Sequence, residues 1–144
     1  MSCVFGFDYG SRLIGVAVGN RFTASARGLA AIAVRDGAPD WPALDALRKE
    51  WQPDTLVVGL PLTLEGDEQP ASKGARRFAD QLNQRYQLPV KLTDERYSSQ
   101  EAAQRFASAR AAGLKKKRDA ATIDAEAAAV ILERWLATPD TTGP

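Results

Sequence analysis

The sequence predicts a single α/β domain on a mixed sheet, antiparallel along one side and parallel along the other, with helices on both faces. Three observations predict it. Three short apolar runs follow one another near the N-terminus with only turns between them. Later apolar runs alternate with stretches of helical periodicity, the pattern of parallel strands joined by crossover helices. The 144 residues are 44% hydrophobic and 26% charged, which suits one soluble domain with its own core.

Each element has its own justification. Val4 to Tyr9 alternates, with Val4, Gly6 and Asp8 on one side and Phe5, Phe7 and Tyr9 on the other, and reads as a strand. "GSR" turns the chain into a second strand, Leu13 to Gly19, making an antiparallel hairpin. Leu29 to Val34 is the third strand, broken by "RDGAPD". Trp41, Leu44, Leu47 and Trp51 recur at helical spacing, with Pro42 early, where proline is tolerated, and Pro53 ends that helix. "TLVVGL", Thr55 to Leu60, is continuously apolar, as a buried parallel strand is. "PLTLEGDEQP" is a loop that Gly66 and its acids make flexible. Ala71 to Tyr86 is helical, with Ala75, Phe78, Ala79 and Leu82 on one face. Val90 to Thr93 is a fifth strand, ending in Asp94 and Glu95. Ser98 and Glu101 form a capping box that opens a helix to about Ala109. A Gly- and Lys-rich loop leads to a last helix, from about Ala120 to Leu136. Residues 1–138 thus form one domain on a five-stranded sheet, three antiparallel strands and then parallel ones, and 139–144 a frayed tail.

Composition narrows the chemistry. The formal net charge is +1, so any nucleic-acid contact must rest on local patches. The single cysteine, Cys3, excludes an intramolecular disulfide and fits a reducing, cytoplasmic home. The first residues do not read as a leader, and no apolar run reaches membrane-spanning length. There is no histidine, which removes Ser-His-Asp, Cys-His and His-ligated zinc chemistry. Carboxylates, a hydroxyl, a lysine or an oxygen-held metal remain, and oxygen-rich sites suit Mg²⁺ or Mn²⁺.

Three acids stand out. Asp8 ends a strand that should be central, Glu95 ends the last strand, and Asp124 lies in the final helix. At about 100° per residue, Asp124 shares a face with Ala120, Ala127, Ala128, Ile131 and Trp135, while Glu126 and Glu133 point the other way. Each has an ordinary explanation. Asp8 can accept turn hydrogen bonds from Ser11 and Arg12, Asp124 can answer the dipole of its helix, and Glu95 can pair with Arg96 or a lysine. Together they read differently. Carboxyl ends of strands converge beside a topological switch, and a helix packed there brings Asp124 alongside. Three converging carboxylates repel one another unless cations hold them. Such a cluster binding two Mg²⁺ or Mn²⁺ ions about 4 Å apart is a phosphodiester-hydrolysis site. Gly6 on the Asp8 face, with Ala127 and Ala128, would let helix and strand approach closely, and Gly10 would admit backbone or substrate phosphate.

The segments "FDYGSRLIGVAVG", "VVGLPLTLEGDEQP", "TDERYSSQEA" and "IDAEAAAVILERWL" together resemble the YqgF/RuvX family over nearly the whole chain. The resemblance implies a ribonuclease H-like, RuvC-like fold and a nuclease that matures the 5′ end of 16S ribosomal RNA. A Holliday-junction resolvase similar to RuvC is the alternative. It also implies that Asp8, Glu95 and Asp124 are the acidic site, with Mg²⁺ or Mn²⁺ as cofactor. RuvC-like resolvases carry a fourth acid one helical turn before the last. Here that position is Ala121, so the implied two-metal site has fewer protein ligands and is completed by water and substrate phosphate.

Basic residues cluster near these acids. Lys115, Lys116, Lys117 and Arg118 precede the Asp124 helix, Lys73, Arg76 and Arg77 share a face of the middle helix, and Arg12 and Arg96 flank the first two acids. They are the candidate phosphate contacts for RNA, ahead of branched DNA, and for pre-ribosomal particles. A solvated charged face is the plain alternative for the helix patch. Two other functions compete: an RNA-binding assembly factor that does not cut, and an actin-like nucleotide-binding module, which would need a second domain. Either a monomer or a homodimer is compatible with the sequence.

Overall fold

The computed structural model describes residues 3–63, 65–94 and 120–137. The predicted helix from Ser98 to Ala109 and the tail 139–144 lie outside the described residues. The chain runs β1 (Cys3–Asp8), β2 (Leu13–Asn20), β3 (Ser25–Arg35), β4 (Ala38–Pro39), α1 (Trp41–Trp51), β5 (Thr55–Leu60), α2 (Pro70–Tyr86), β6 (Val90–Asp94) and α3 (Ala120–Ala137).

The sheet is mixed and six-stranded, in the order β4-β3-β2-β1-β5-β6. β1 pairs antiparallel with β2 and parallel with β5, and β5 pairs parallel with β6. One strand more than expected is present. "RDGAPD" does not simply end β3: Asp36 and Gly37 both take positive φ, 53° and 76°, the geometry of a tight hairpin turn. The turn folds Ala38 and Pro39 back onto Arg35 and Val34. Proline is tolerated there because β4 is an edge strand.

Helix ends follow local chemistry. Asp40 caps α1 by accepting the Ala43 N–H at 3.3 Å. Gln52 and Gln87 end α1 and α2 in the left-handed conformation, their N–H groups donating to the Arg48 and Asn83 carbonyls. The helices cover both faces. On one, Phe5, Phe7, Ile14, Val16, Leu56 and Val58 pack against Leu44 of α1 and Ala75, Phe78 and Leu82 of α2. On the other, Val4, Ala17 and Val57 pack against Ala128, Ile131 and Leu132 of α3. The switch between antiparallel and parallel pairing therefore falls at β1, the strand that ends in Asp8.

Candidate active site

Asp8 is the last residue of β1, half-buried, and shares the α3 side of the sheet with Val4 and Gly6. Its partner across the antiparallel pair is Gly15. A side chain on Gly15 would overlap the Asp124 carbonyl oxygen, its Cβ lying 2.5 Å from the Asp124 carbonyl carbon. The first turns of α3 therefore rest on bare backbone, directly across from Asp8. Gly28 of β3 plays the same part under Ala125, where a Cβ would approach to 2.9 Å. The Gly6 approach expected from the sequence is present, with Leu132 and the Ala128 carbonyl as the surfaces met. At Gly10 the close approach is to backbone. A Cβ there would lie 2.5 Å from the Leu13 carbonyl oxygen, so the turn itself requires the glycine.

On the other side of Asp8 the row continues into the parallel strands. Phe7 pairs with Val58, which sets Asp8 beside Gly59, and Gly59 pairs with Thr93 of β6. Paired residues share a face, so Asp8 stands between two glycines on the α3 side, with Thr93 closing the row. Gly15, Gly59 and Thr93 were missed as site-shaping positions. A glycine inside an apolar strand, where it weakens the strand unless something approaches closely, was the available signal.

Asp124 is half-buried, and desolvation by burial raises its pKa above the ordinary carboxylate value. Of its predicted stripe, Ala127, Ala128 and Ile131 are buried and Trp135 is half-buried, while the Ala120 side chain lies outside the described residues; Glu126 and Glu133, expected on the opposite face, are half-buried too. Ala125, Ala129, Val130 and Leu132 are buried too, so the buried surface of α3 is wider than one stripe. Asp8 and the Asp124 backbone thus lie at the same end of the same sheet face, both against Gly15. Glu95, the residue after β6, lies outside the described residues, as do Arg96 and Lys115, Lys116, Lys117 and Arg118. Among the described residues, no three acidic or thiol side chains cluster closely enough to hold a metal ion. The two described acids offer only oxygen, and a half-buried carboxylate gains from a cation, so they fit a hard divalent ion.

The basic residues divide. Arg12 is exposed in the turn after β1, and its carbonyl accepts the Val34 N–H at 2.8 Å. Lys73, Arg76 and Arg77 are exposed on α2, across the sheet from α3. Gly74 abuts the Tyr9 ring, which keeps the start of α2 close to the end of β1. Arg76 is engaged: its Nε and Nη2 donate to both Glu68 carboxylate oxygens at 3.0 and 2.7 Å. That pair ties down the loop after β5, expected to be flexible. Leu62 bridges Glu68, Thr63 bonds Asp67, and the Ser72 hydroxyl donates to the Pro61 carbonyl.

The model of the RuvX family, described as Holliday junction resolvase, matches residues 2–138. The chain belongs to the RuvX family. Among its RuvX relatives, the "Putative pre-16S rRNA nuclease" of Xanthomonas oryzae pv. oryzae (strain PXO99A) is 63% identical over 95% of this chain and 88% of the relative. A protein of the same name from Xylella fastidiosa (strain M12) is 62% identical over 94% of this chain and 88% of the relative. Two solved structures share the fold. Thermus thermophilus RuvC in complex with a Holliday junction superposes with a TM-score of 0.53 at 17% identity, covering 96% of this chain and 98% of that one. The yeast mitochondrial Holliday junction resolvase Ydc2 superposes with a TM-score of 0.51 at 9% identity, covering 92% and 77%. The RuvC-like, ribonuclease H-like expectation therefore holds. No helix among the described residues is long and apolar enough to cross a membrane.

Proposed function

We propose that this RuvX protein is a nuclease that hydrolyses phosphodiester bonds in the maturation of the 16S ribosomal RNA precursor, acting in the cytoplasm on pre-ribosomal particles. The observation that carries the reading is the seating of α3 on Gly15, across the strand pair from Asp8. The relatives at 61–63% identity, each named a pre-16S rRNA nuclease, support the substrate.

In this reading Asp8, Asp124 and Glu95 hold Mg²⁺ or Mn²⁺. Such ions, when bound, lower the pKa of water and neutralise charge gathering on the phosphate. The chain's own part is placement. Asp8 is held by its pairing with Gly15 on one side and by the Phe7–Val58 pair just before it on the other, which preserves its position without substrate. Asp124 sits where burial penalises its charge, so its carboxylate gains more from a cation than an exposed one would. Arg12, Lys73 and Arg77, with Arg96 and the Lys115–Arg118 run, hold phosphates, and Arg76 joins them if Glu68 yields.

Purified protein incubated with a 16S precursor and with a four-way DNA junction, in Mg²⁺, Mn²⁺ or EDTA, tests this directly. The precursor is cut at its 5′ side with metal and spared in EDTA. Asp8→Asn lowers cleavage by more than about 100-fold, beyond the loss usual for outer-sphere partners of a metal site, with the fold intact. Undiminished cutting by Asp8→Asn would remove the assignment. The family description favours one second reading, junction resolution, and preferential cutting of the four-way junction would select it.

A further inference from the structure

The end of the sheet opposite the acids carries a second surface with no part in the chemistry above. β2 and β3 are joined by a turn, Arg21 to Ala24, that is tightly organised. The Phe22 N–H donates to the Asn20 side chain at 2.7 Å, Thr23 and Ser25 hydroxyls bond each other at 2.6 Å, and Ala24 takes a φ of 52°. Arg21 pins the turn to the start of β5, donating to Asp54 and to Thr55 at 2.7 Å each. The turn holds Phe22 out in solvent, 88% exposed. A lone exposed apolar side chain is ordinary. This one is held by a pinned turn and stands beside a cleft of about 310 Å³, lined by Cys3, Asn20, Ser25, Arg27 and Trp51 among others. In the cleft wall the Arg27 guanidinium lies 5.3 Å over the Trp51 ring, and Arg27 is exposed. Arg21 is already paired with Asp54, so Arg27 is the charged side chain in the cleft wall.

An aromatic ring held outward, a cleft with a planar cation on an indole, and local positive charge are what single-stranded nucleic acid uses: bases stack on the rings and phosphates meet the cations. We infer that this cleft and Phe22 form a second contact for single-stranded RNA, in which one base stacks on Phe22 and its neighbour enters the cleft against Arg27 and Trp51. The inference rests on the nucleic-acid reading of the function. Five residue steps of β1 separate Cys3 from Asp8, about 17 Å. The contact therefore binds strand several nucleotides from the bond that is cut, and selects for precursor with an unpaired flank.

The test is fluorescence anisotropy of a short labelled single-stranded RNA of mixed sequence, in EDTA so that cleavage plays no part, with a blunt duplex RNA of the same length as control. Phe22→Ala and Arg27→Ala each weaken single-strand binding about tenfold, with duplex binding and melting temperature unchanged. Phe22 is exposed, so its variant folds. Photocrosslinking of wild type to the same RNA, read by mass spectrometry, places adducts on Phe22 or Trp51. Binding within twofold of wild type in both variants, or adducts confined to other segments, overturns the inference. That result leaves the nuclease reading standing, because Asp8→Asn is read by cleavage and these variants by binding without metal.

Discussion

Toward α1 and α2, β1 and β2 present Phe5, Phe7, Ile14, Val16 and Val18, while toward α3 they present Val4, Gly6, Asp8, Gly15, Ala17 and Gly19. The same two strands obey opposite rules on their two faces. The first face is stabilised by apolar area and by ring geometry, with Phe78 edge-on to Phe7 at 5.5 Å and stacked with Trp41 at 5.9 Å. The second gives up side-chain area so that a helix can touch the strands, and at its open end it holds carboxylates. The larger apolar cluster lies on one face, and the acids on the other.

The comparison can be broken from either side. Phe78→Ala removes the ring that Phe7, Tyr9 and Trp41 all touch, and costs about 3–5 kcal/mol in chemical denaturation. The molecules that remain folded cut RNA at the wild-type rate. Gly15→Ala adds one methyl group against the Asp124 backbone and costs about 1–3 kcal/mol through overpacking. Here the folded molecules lose activity, because α3 must shift off the strand. Equal activity per folded molecule in the two variants would erase the distinction between the faces.

A smaller effect separates function from stability at Asp124. Its carboxyl has a pKa raised by burial, so with respect to this group the metal-free protein is most stable when the acid is protonated. That stability is lost as pH rises from 3.8 through the raised value. Asp124→Asn removes the buried charge. In EDTA at neutral pH the variant melts above wild type, and the gap closes in acid, although the variant has lost cleavage. A variant that melts below wild type in EDTA would show that the charge is already compensated within the chain.

The smallest effect belongs to the other face. Arg85 and then Tyr86 donate to Asp45, at 2.9 and 2.6 Å and at 2.5 Å, and hold its pKa near about 2. A lowered carboxylate pKa stabilises above 3.8 and ceases to do so as pH falls toward about 2. The pair is exposed, so Asp45→Asn costs only about 0.2–1 kcal/mol at neutral pH. The loss fades as pH falls from 3.8 toward about 2, and cleavage is untouched.

Much of this was legible in the sequence, for physical reasons. Alternation in β1, the continuous apolar run of β5 and the helical spacing of α1 and α2 are burial patterns, and burial decides those elements. The expected bounds of α1 and β5 coincide with the observed ones, and those of α2 and β6 differ by one residue at one end. β3 begins four residues before the apolar run, because Ser25 to Gly28 are paired by the ladder and not by hydrophobicity. β4 was illegible because a two-residue strand has no period. At the site, the face of Asp124 could be computed from helix geometry alone. That Gly15 pairs with Asp8 and Gly59 lies beside it could not be read, since strand register is a long-range property.

The central claim is that Asp8 and Asp124 meet at one divalent-metal site. Mn²⁺ titrated into the protein and followed by electron paramagnetic resonance counts the bound ions without substrate. Wild type should remove the free Mn²⁺ signal at stoichiometric metal, and Asp8→Asn and Asp124→Asn should each weaken binding at the same site by at least about tenfold. Binding that is unchanged in both variants would contradict the account.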